Sequence, residues 1–321
     1  MIPLTSALDL PIPRNLTAVL QLLQRLVGPG EHRYWCGGTI AIEKLSAFVT
    51  KMEARYPILR NTRGRSYDRQ RGRAVVHMII YPPPYGACAQ DFPHTSHEFR
   101  SALARGRAGQ RYESLQSPVS DVFWWLVSSS GTGGLADPNM HDAHVAKDAM
   151  DADGHITVGD YVLLYATKKE PRSIHDSRTG QLLPVFKENS TWTWKLRTEV
   201  FREVRASIEE CCANLDYGLE PTLDRPGWGL RGVLAAQRAR PLFAGVRNQV
   251  VDLHRYAHDA WRSRRAAWCA AHSGVNGESG ADAGKLIPIA EVFTEHLPKM
   301  VRYQIYDRPS FRVRDLLSNS D

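Results

Sequence analysis

Near residue 198 the hydrophobic period of this 321-residue chain changes from strand-like to helical, and that change restricts its architecture more than any single motif. Before it, Ala74–Tyr81 (AVVHMIIY) and Val122–Val127 (VFWWLV) are nearly continuous apolar runs, closed by Pro82-Pro83-Pro84 and by Ser128-Ser129-Ser130-Gly131. Short apolar runs between breakers predict strands buried on both faces. Ile156–Ala166 and Ser190–Leu196 read as further strands, and Thr191-Trp192-Thr193-Trp194-Lys195 alternates as a half-exposed strand does. After the change, Val200, Val204, Ile208, Cys211 and Leu215 recur on one helical face. Strands first and helices afterwards predict an α+β fold, with a mixed or antiparallel sheet domain and a mainly helical C-terminal part.

The boundaries follow from caps and breakers. Leu16, Val19, Leu20, Leu23, Leu26 and Val27 predict an amphipathic helix with Asn15 as its N-cap and Gly28 past its end, so residues 1–29 form an N-terminal helical segment. Tyr34–Ile42 reads as a strand and 43–56 as a helix, opening a sheet domain over 30–198. Within it, 85–120 reads as a polar, arginine-bearing insertion with one helix near 96–105, and 167–189 as a polar hairpin-like connection. Helices are expected over 230–237, 244–272 and 287–297, so the helical region spans 199–298, broken at 216–229 and by the Gly-rich stretch 276–284. Met300–Tyr306 alternates like a strand, and 299–321 forms a terminal strand and tail that returns to the sheet.

Composition narrows the compartment and the partner. The 41 Lys and Arg against 34 Asp and Glu leave +7, which favours an anionic partner. Cys36, Cys88, Cys211, Cys212 and Cys269 are odd in number, and two are adjacent in a predicted helix, so they suit a reducing cytoplasm better than a disulfide framework. The first 13 residues carry Asp9, Pro11 and Pro13 and no apolar core, against a secretory signal. No run approaches the roughly 20 apolar residues of a bilayer span, so no membrane partner is expected.

The charge is concentrated. Residues 55–73 hold Arg55, Arg60, Arg63, Arg65, Arg69, Arg71 and Arg73 against Asp68, a net of +6, with Gly64, Gly72 and Tyr67 interspersed. Read as a loop between helix and strand, this segment suits phosphate: the guanidinium fork donates two hydrogen bonds, and glycine admits close backbone approach. Tyr67 is placed to stack on a base. A second concentration lies over 231–265, eight Arg against two Asp, again +6. On the helix from 246 to 268, Val246, Val250, Leu253, Ala257, Trp261 and Trp268 form one stripe, and Arg247, His254, Arg255, His258, Arg262 and Arg265 the adjoining arc. The candidate nucleic-acid contacts are therefore Arg60, Arg63, Arg65, Tyr67, Arg69, Arg71 and Arg73, together with Arg247, Arg255, Arg262 and Arg265.

The remaining constellations carry less specific signals. His254 and His258 stand at i and i+4, yet without the intervening acid of zinc hydrolases two ligands do not make a site. Asp137, His141, Asp142, His144, Asp148, Asp151, Asp153, His155 and Asp160 are dense enough to hold a divalent ion, and 151–156 resembles the middle of an EF-hand loop. Its first ligand position is Ala149, so a turn opening a strand is the better reading. Ser128–Gly134 (SSSGTGG) lacks the Gly-Lys-Ser/Thr of a nucleotide loop and reads as a flexible phosphate contact or a plain loop. Most of the eight tryptophans belong in the core, while Trp192 and Trp194, beside Lys195 and Arg197, are candidates to stack unpaired bases.

No motif names a reaction. The leading expectation is a DNA- or RNA-binding protein, on its own or as a subunit of a nucleoprotein complex, needing no cofactor. The alternatives are a metal-dependent nuclease or phosphotransferase built on the Asp/His cluster at 137–160, with a divalent metal, and a non-catalytic protein-interaction subunit whose charge serves solubility.

Overall fold

The computed structural model describes residues 9–13, 15–29, 31–82, 121–175, 182–213, 229–272 and 311–313. The chain is α+β and divides into two compact units, one formed by Met1–Trp194 with Gln304–Asp321 and the other by Lys195–Tyr303. The expected helices near 96–105 and 287–297, the Gly-rich stretch and the strand at 300–306 lie outside the described residues.

In the first unit, β1 (Pro11–Ile12) leads into α1 (Leu16–Val27), whose N-cap is Asn15: its side chain accepts from the Ala18 N–H at 2.9 Å. A four-stranded sheet follows, in the order β3-β4-β2-β5, from β2 (Tyr34–Ala41), β3 (Val76–Tyr81), β4 (Asp121–Ser128) and β5 (Lys147–Asp148). Its pairings are antiparallel, with Tyr34 opposite Ser128 and Val76 opposite Ser128 on either side of the central β4. One face packs against α2 (Ile42–Arg55): Cys36, Val76, Met78, Ile80, Val122 and Leu126 meet Ile42, Leu45, Val49 and Met52. The alternate residues Ile79, Trp125 and Val127 are buried too, on the face where α1 meets β3. That double burial is why the two apolar runs are continuous rather than alternating.

A second sheet, in the order β6-β7-β8, combines β6 (Thr157–Val158), β7 (Tyr161–His175) and β8 (Leu182–Leu196). The polar connection expected over 167–189 is thus largely strand: β7 and β8 run on through it, because paired strands satisfy their backbone groups whether or not their side chains are apolar. Gly159, at φ +55°, turns the chain between β6 and β7 and divides the single strand expected there. The C-terminal segment does return, but through β9 (Phe311–Arg312), which pairs with β1 rather than with the large sheet and buries Val313 in the α2 face.

The second unit packs α4 (Thr198–Ala213), α5 (Leu230–Arg238) and α6 (Ala244–His272) around Val204, Ile208, Cys211, Leu234, Leu253, Ala257 and Trp261. Gln249 of α6 holds the end of β8 by accepting from the Leu196 N–H at 2.7 Å and donating to its carbonyl at 3.1 Å. No helix among the described residues is long and apolar enough to cross a membrane.

Candidate nucleic-acid interface

The arginine segment 55–73 is not a loop throughout. It contains α3 (Thr62–Gln70), started by Asn61, whose side chain accepts from the Gly64 N–H at 2.8 Å. Helical winding sorts the arginines into two groups that linear sequence cannot distinguish. Inward, Asp68 is buried and accepts from Arg60 at 3.0 Å, while the exposed Arg73 guanidinium stays 4.0 Å from it. Arg65 also turns inward and donates to the Ile58 carbonyl at 2.9 Å; its Nε is sealed from water without a partner among the described residues. Burial, with Arg69 nearby, lowers the Arg65 pKa. Arg55 reaches away to Asp142 at 3.0 and 3.1 Å, an acid that also accepts from the Tyr56 hydroxyl at 2.9 Å. Burial pushes the Tyr56 hydroxyl up, reinforced by the bond to Asp142.

Outward, Arg63, Tyr67 and Arg71 are exposed at i, i+4 and i+8, forming one stripe along α3 and its C-cap. The Arg71 guanidinium lies 4.3 Å from the Tyr67 ring centroid, and Tyr67 remains 47% exposed. Arg69 is exposed beside His32, with its Nη2 3.5 Å from His32 Nε2. The Leu26 carbonyl, which can only accept, lies 3.1 Å from His32 Nδ1, so the proton belongs on Nδ1 and the Nε2 lone pair faces Arg69. Of the residues expected here, Arg63, Tyr67, Arg69, Arg71 and Arg73 are therefore solvent-facing, while Arg60 is tied to Asp68 and Arg65 is part of the fold.

The Gly-rich turn at 128–134 abuts this segment but does not offer the free backbone donors expected of it. The Thr132 N–H donates to Gly72, Gly133 to Asp137 Oδ2 and Leu135 to Ser128 Oγ, while Thr132 accepts from Ala74. Gly131 is at φ +129°, and a Cβ there would lie 2.7 Å from the Ala74 nitrogen, so this turn requires glycine for close packing on the arginine segment. It is a plain structural turn.

On α6 the apolar stripe is as expected, with Val246, Val250, Leu253, Ala257 and Trp261 buried; the Trp268 side chain lies outside the described residues. Arg255, Arg262 and Arg264 are exposed and Arg265 is half-buried, whereas Arg247 is half-buried with its Nε sealed and unpartnered among the described residues. Arg255 lies 3.9 Å from Asp252 across an exposed turn, a pair worth at most about 1 kcal/mol. This basic face belongs to the second unit and the α3 stripe to the first.

The acids and histidines of 137–160 disperse into structural roles. Asp137 accepts from the backbone of Gly133 and Asn139, which lowers its pKa. Asp142 holds Arg55 and Tyr56, and Asp148 holds Arg33 at 3.0 Å and caps the Met150 N–H. The EF-hand-like stretch is a tight turn whose Gly154 carbonyl accepts from the Trp35 indole at 2.6 Å, and Ala149 is fully buried. Among the described residues no three His, Cys, Asp or Glu side chains gather to hold a metal ion, at 137–160 or at His254 and His258.

Trp194 is unavailable for stacking on bases: it is fully buried, and its indole N–H donates to the Leu20 carbonyl at 2.8 Å. Trp192 is half-buried and meets Tyr165 of β7, ring centroids 5.3 Å apart. Sequence reasoning overlooked Tyr165, although its place in an alternating strand was a usable signal. No protein-family model, curated protein or solved structure matches this chain.

Proposed function

We propose that this protein binds nucleic acid, DNA or RNA, through phosphate contacts from α3, with the basic face of α6 as a second contact surface. One observation carries the reading: Arg63, Tyr67 and Arg71 stand exposed in a stripe on a capped helix, without a carboxylate partner among the described residues. Unpaired guanidinium groups held on a rigid element bind phosphate at little ordering cost, and each phosphate they neutralise releases counterions. On α6, Arg262 is exposed and Arg255, 3.9 Å from Asp252, lies on the same side of the helix. Membership of a nucleoprotein complex and a cytoplasmic location belong to the same proposal, the latter supported by the buried thiols of Cys36 and Cys212.

The test is fluorescence anisotropy with labelled single-stranded and duplex oligonucleotides over a series of salt concentrations. Arg63→Ala and Arg71→Ala are each expected to weaken binding across sequences and to reduce the salt slope by about 1. Wild-type protein that binds no oligonucleotide at low salt would refute the proposal.

A further inference from the structure

The β7–β8 hairpin carries an aromatic pair that packing leaves partly open. Thr167 Oγ1 and Ser190 Oγ lie 2.9 Å apart, and the Tyr165 and Trp192 rings meet at 5.3 Å with a 53° tilt. Both pairs fit a single antiparallel register, in which the next pair on the same face is Leu163 with Trp194. That third pair is fully buried, whereas Tyr165 is 46% exposed and Thr167 and Ser190 are exposed. Along one face, then, the apolar layer runs out of the core, ends on two half-open aromatic rings and continues as hydroxyls.

The platform is braced by α1, which covers the buried end of the same face and sets Gly28 beside the Trp192 ring. Gln24 Nε2 donates to the Trp192 carbonyl at 2.7 Å, and the Trp194 indole donates to the Leu20 carbonyl. Trp192 and Tyr165 therefore sit on a strand pair fixed to a helix rather than on a free loop. In the sequence, positions 166–190 hold five Lys and Arg against three Asp and Glu, a local excess that favours a polyanion.

We infer that Tyr165 and Trp192 form a stacking shelf for the unpaired bases of a single-stranded nucleic acid, which makes single strands the preferred ligand over duplex. The inference rests on the nucleic-acid-binding reading above and assigns its ligand class. Every base has a π face, so such a shelf tolerates sequence, but in a duplex those faces are covered by neighbouring base pairs. The Thr167 and Ser190 hydroxyls beside it can bond to base edges or to the backbone.

The experiment compares full-length wild type with Tyr165→Leu and Tyr165→Phe, titrated into a labelled oligothymidine single strand and a labelled mixed-sequence duplex at one low salt concentration. Leucine keeps an apolar strand residue against Trp192 but has no π face; phenylalanine keeps the face and loses only the hydroxyl. The expected result is tighter binding of the single strand by wild type, about tenfold weaker single-strand binding by Tyr165→Leu, recovery in Tyr165→Phe, and duplex affinity equal in all three. Single-strand affinity unchanged in Tyr165→Leu, or an equal loss for single strand and duplex, would overturn the shelf while leaving nucleic-acid binding in place. Wild type that binds neither probe removes the binding reading itself, and the shelf with it.

Discussion

Replacing His77 with leucine should remove much of the acid sensitivity of the first unit. His77 is the second residue of β3, opposite Val127, its ring edge-on to His32 at 4.7 Å. Burial, then electrostatic interaction with Arg65, His32 and Arg69, holds its pKa down to about 2, against about 6.5 in an unfolded chain. The native state therefore keeps His77 neutral where the unfolded state takes up a proton. The resulting stability is fully present above about pH 6.5 and is lost as pH falls from there toward about 2. Between about pH 7 and about pH 5 the unfolded imidazole becomes almost fully protonated while the native one does not. The linkage integral over that interval is about 2 kcal/mol, or about 4–8 °C in melting temperature for a domain of this size. The assay is thermal or urea unfolding of wild type and His77→Leu at several pH values across the interval, followed on the transition of the sheet unit. Other groups titrate in both proteins, so the difference between the two pH dependences is the quantity that isolates His77. If wild type and variant lose the same stability between the two pH values, the imidazole is not held neutral by its surroundings and the reasoning fails.

Two further outcomes follow from side chains that helical and strand geometry turned inward. Arg65→Ala should cost about 1.5–3 kcal/mol in chemical denaturation, because a charged donor to the Ile58 carbonyl is lost, whereas the exposed Arg63→Ala should stay within about 0.5 kcal/mol; equal costs would mean that α3 does not sort its arginines as described. Trp194→Phe should destabilise the first unit by about 1–3 kcal/mol, since the Leu20 carbonyl loses its indole donor at a fully buried position; an unchanged unfolding midpoint would place Trp194 outside the core.

Much of the fold was legible because its causes are local. Asn15 and Gly28 bracket a run with helical spacing, and the helix occupies Leu16–Val27 between them. The continuity of VHMIIY and VFWWLV follows from burial on both faces, and the period change near residue 198 coincides with the end of β8 and the start of α4. The apolar stripe of α6 followed from the 100° rotation per residue, which needs no knowledge of its neighbours. The candidate site was legible only in composition. That seven arginines crowd residues 55–73 is a property of the sequence; which of them face water is not. Arg63 and Arg65 are two residues apart, yet one is exposed and the other donates to Ile58, because the difference lies in which side of α3 faces the chain behind it. The acids of 137–160 looked like ligands because they are close in sequence, but Asp142 is held by Arg55 and Tyr56, more than eighty positions earlier. Trp192 and Trp194 share a strand face and a residue type, and α1, reaching that strand from 168 and 174 positions away, seals one and leaves the other at the rim with Tyr165. Secondary structure here was written in local periodicity. Exposure, pairing and charge balance were set by long-range packing, since a side chain's surroundings in a folded chain come mostly from residues distant in sequence.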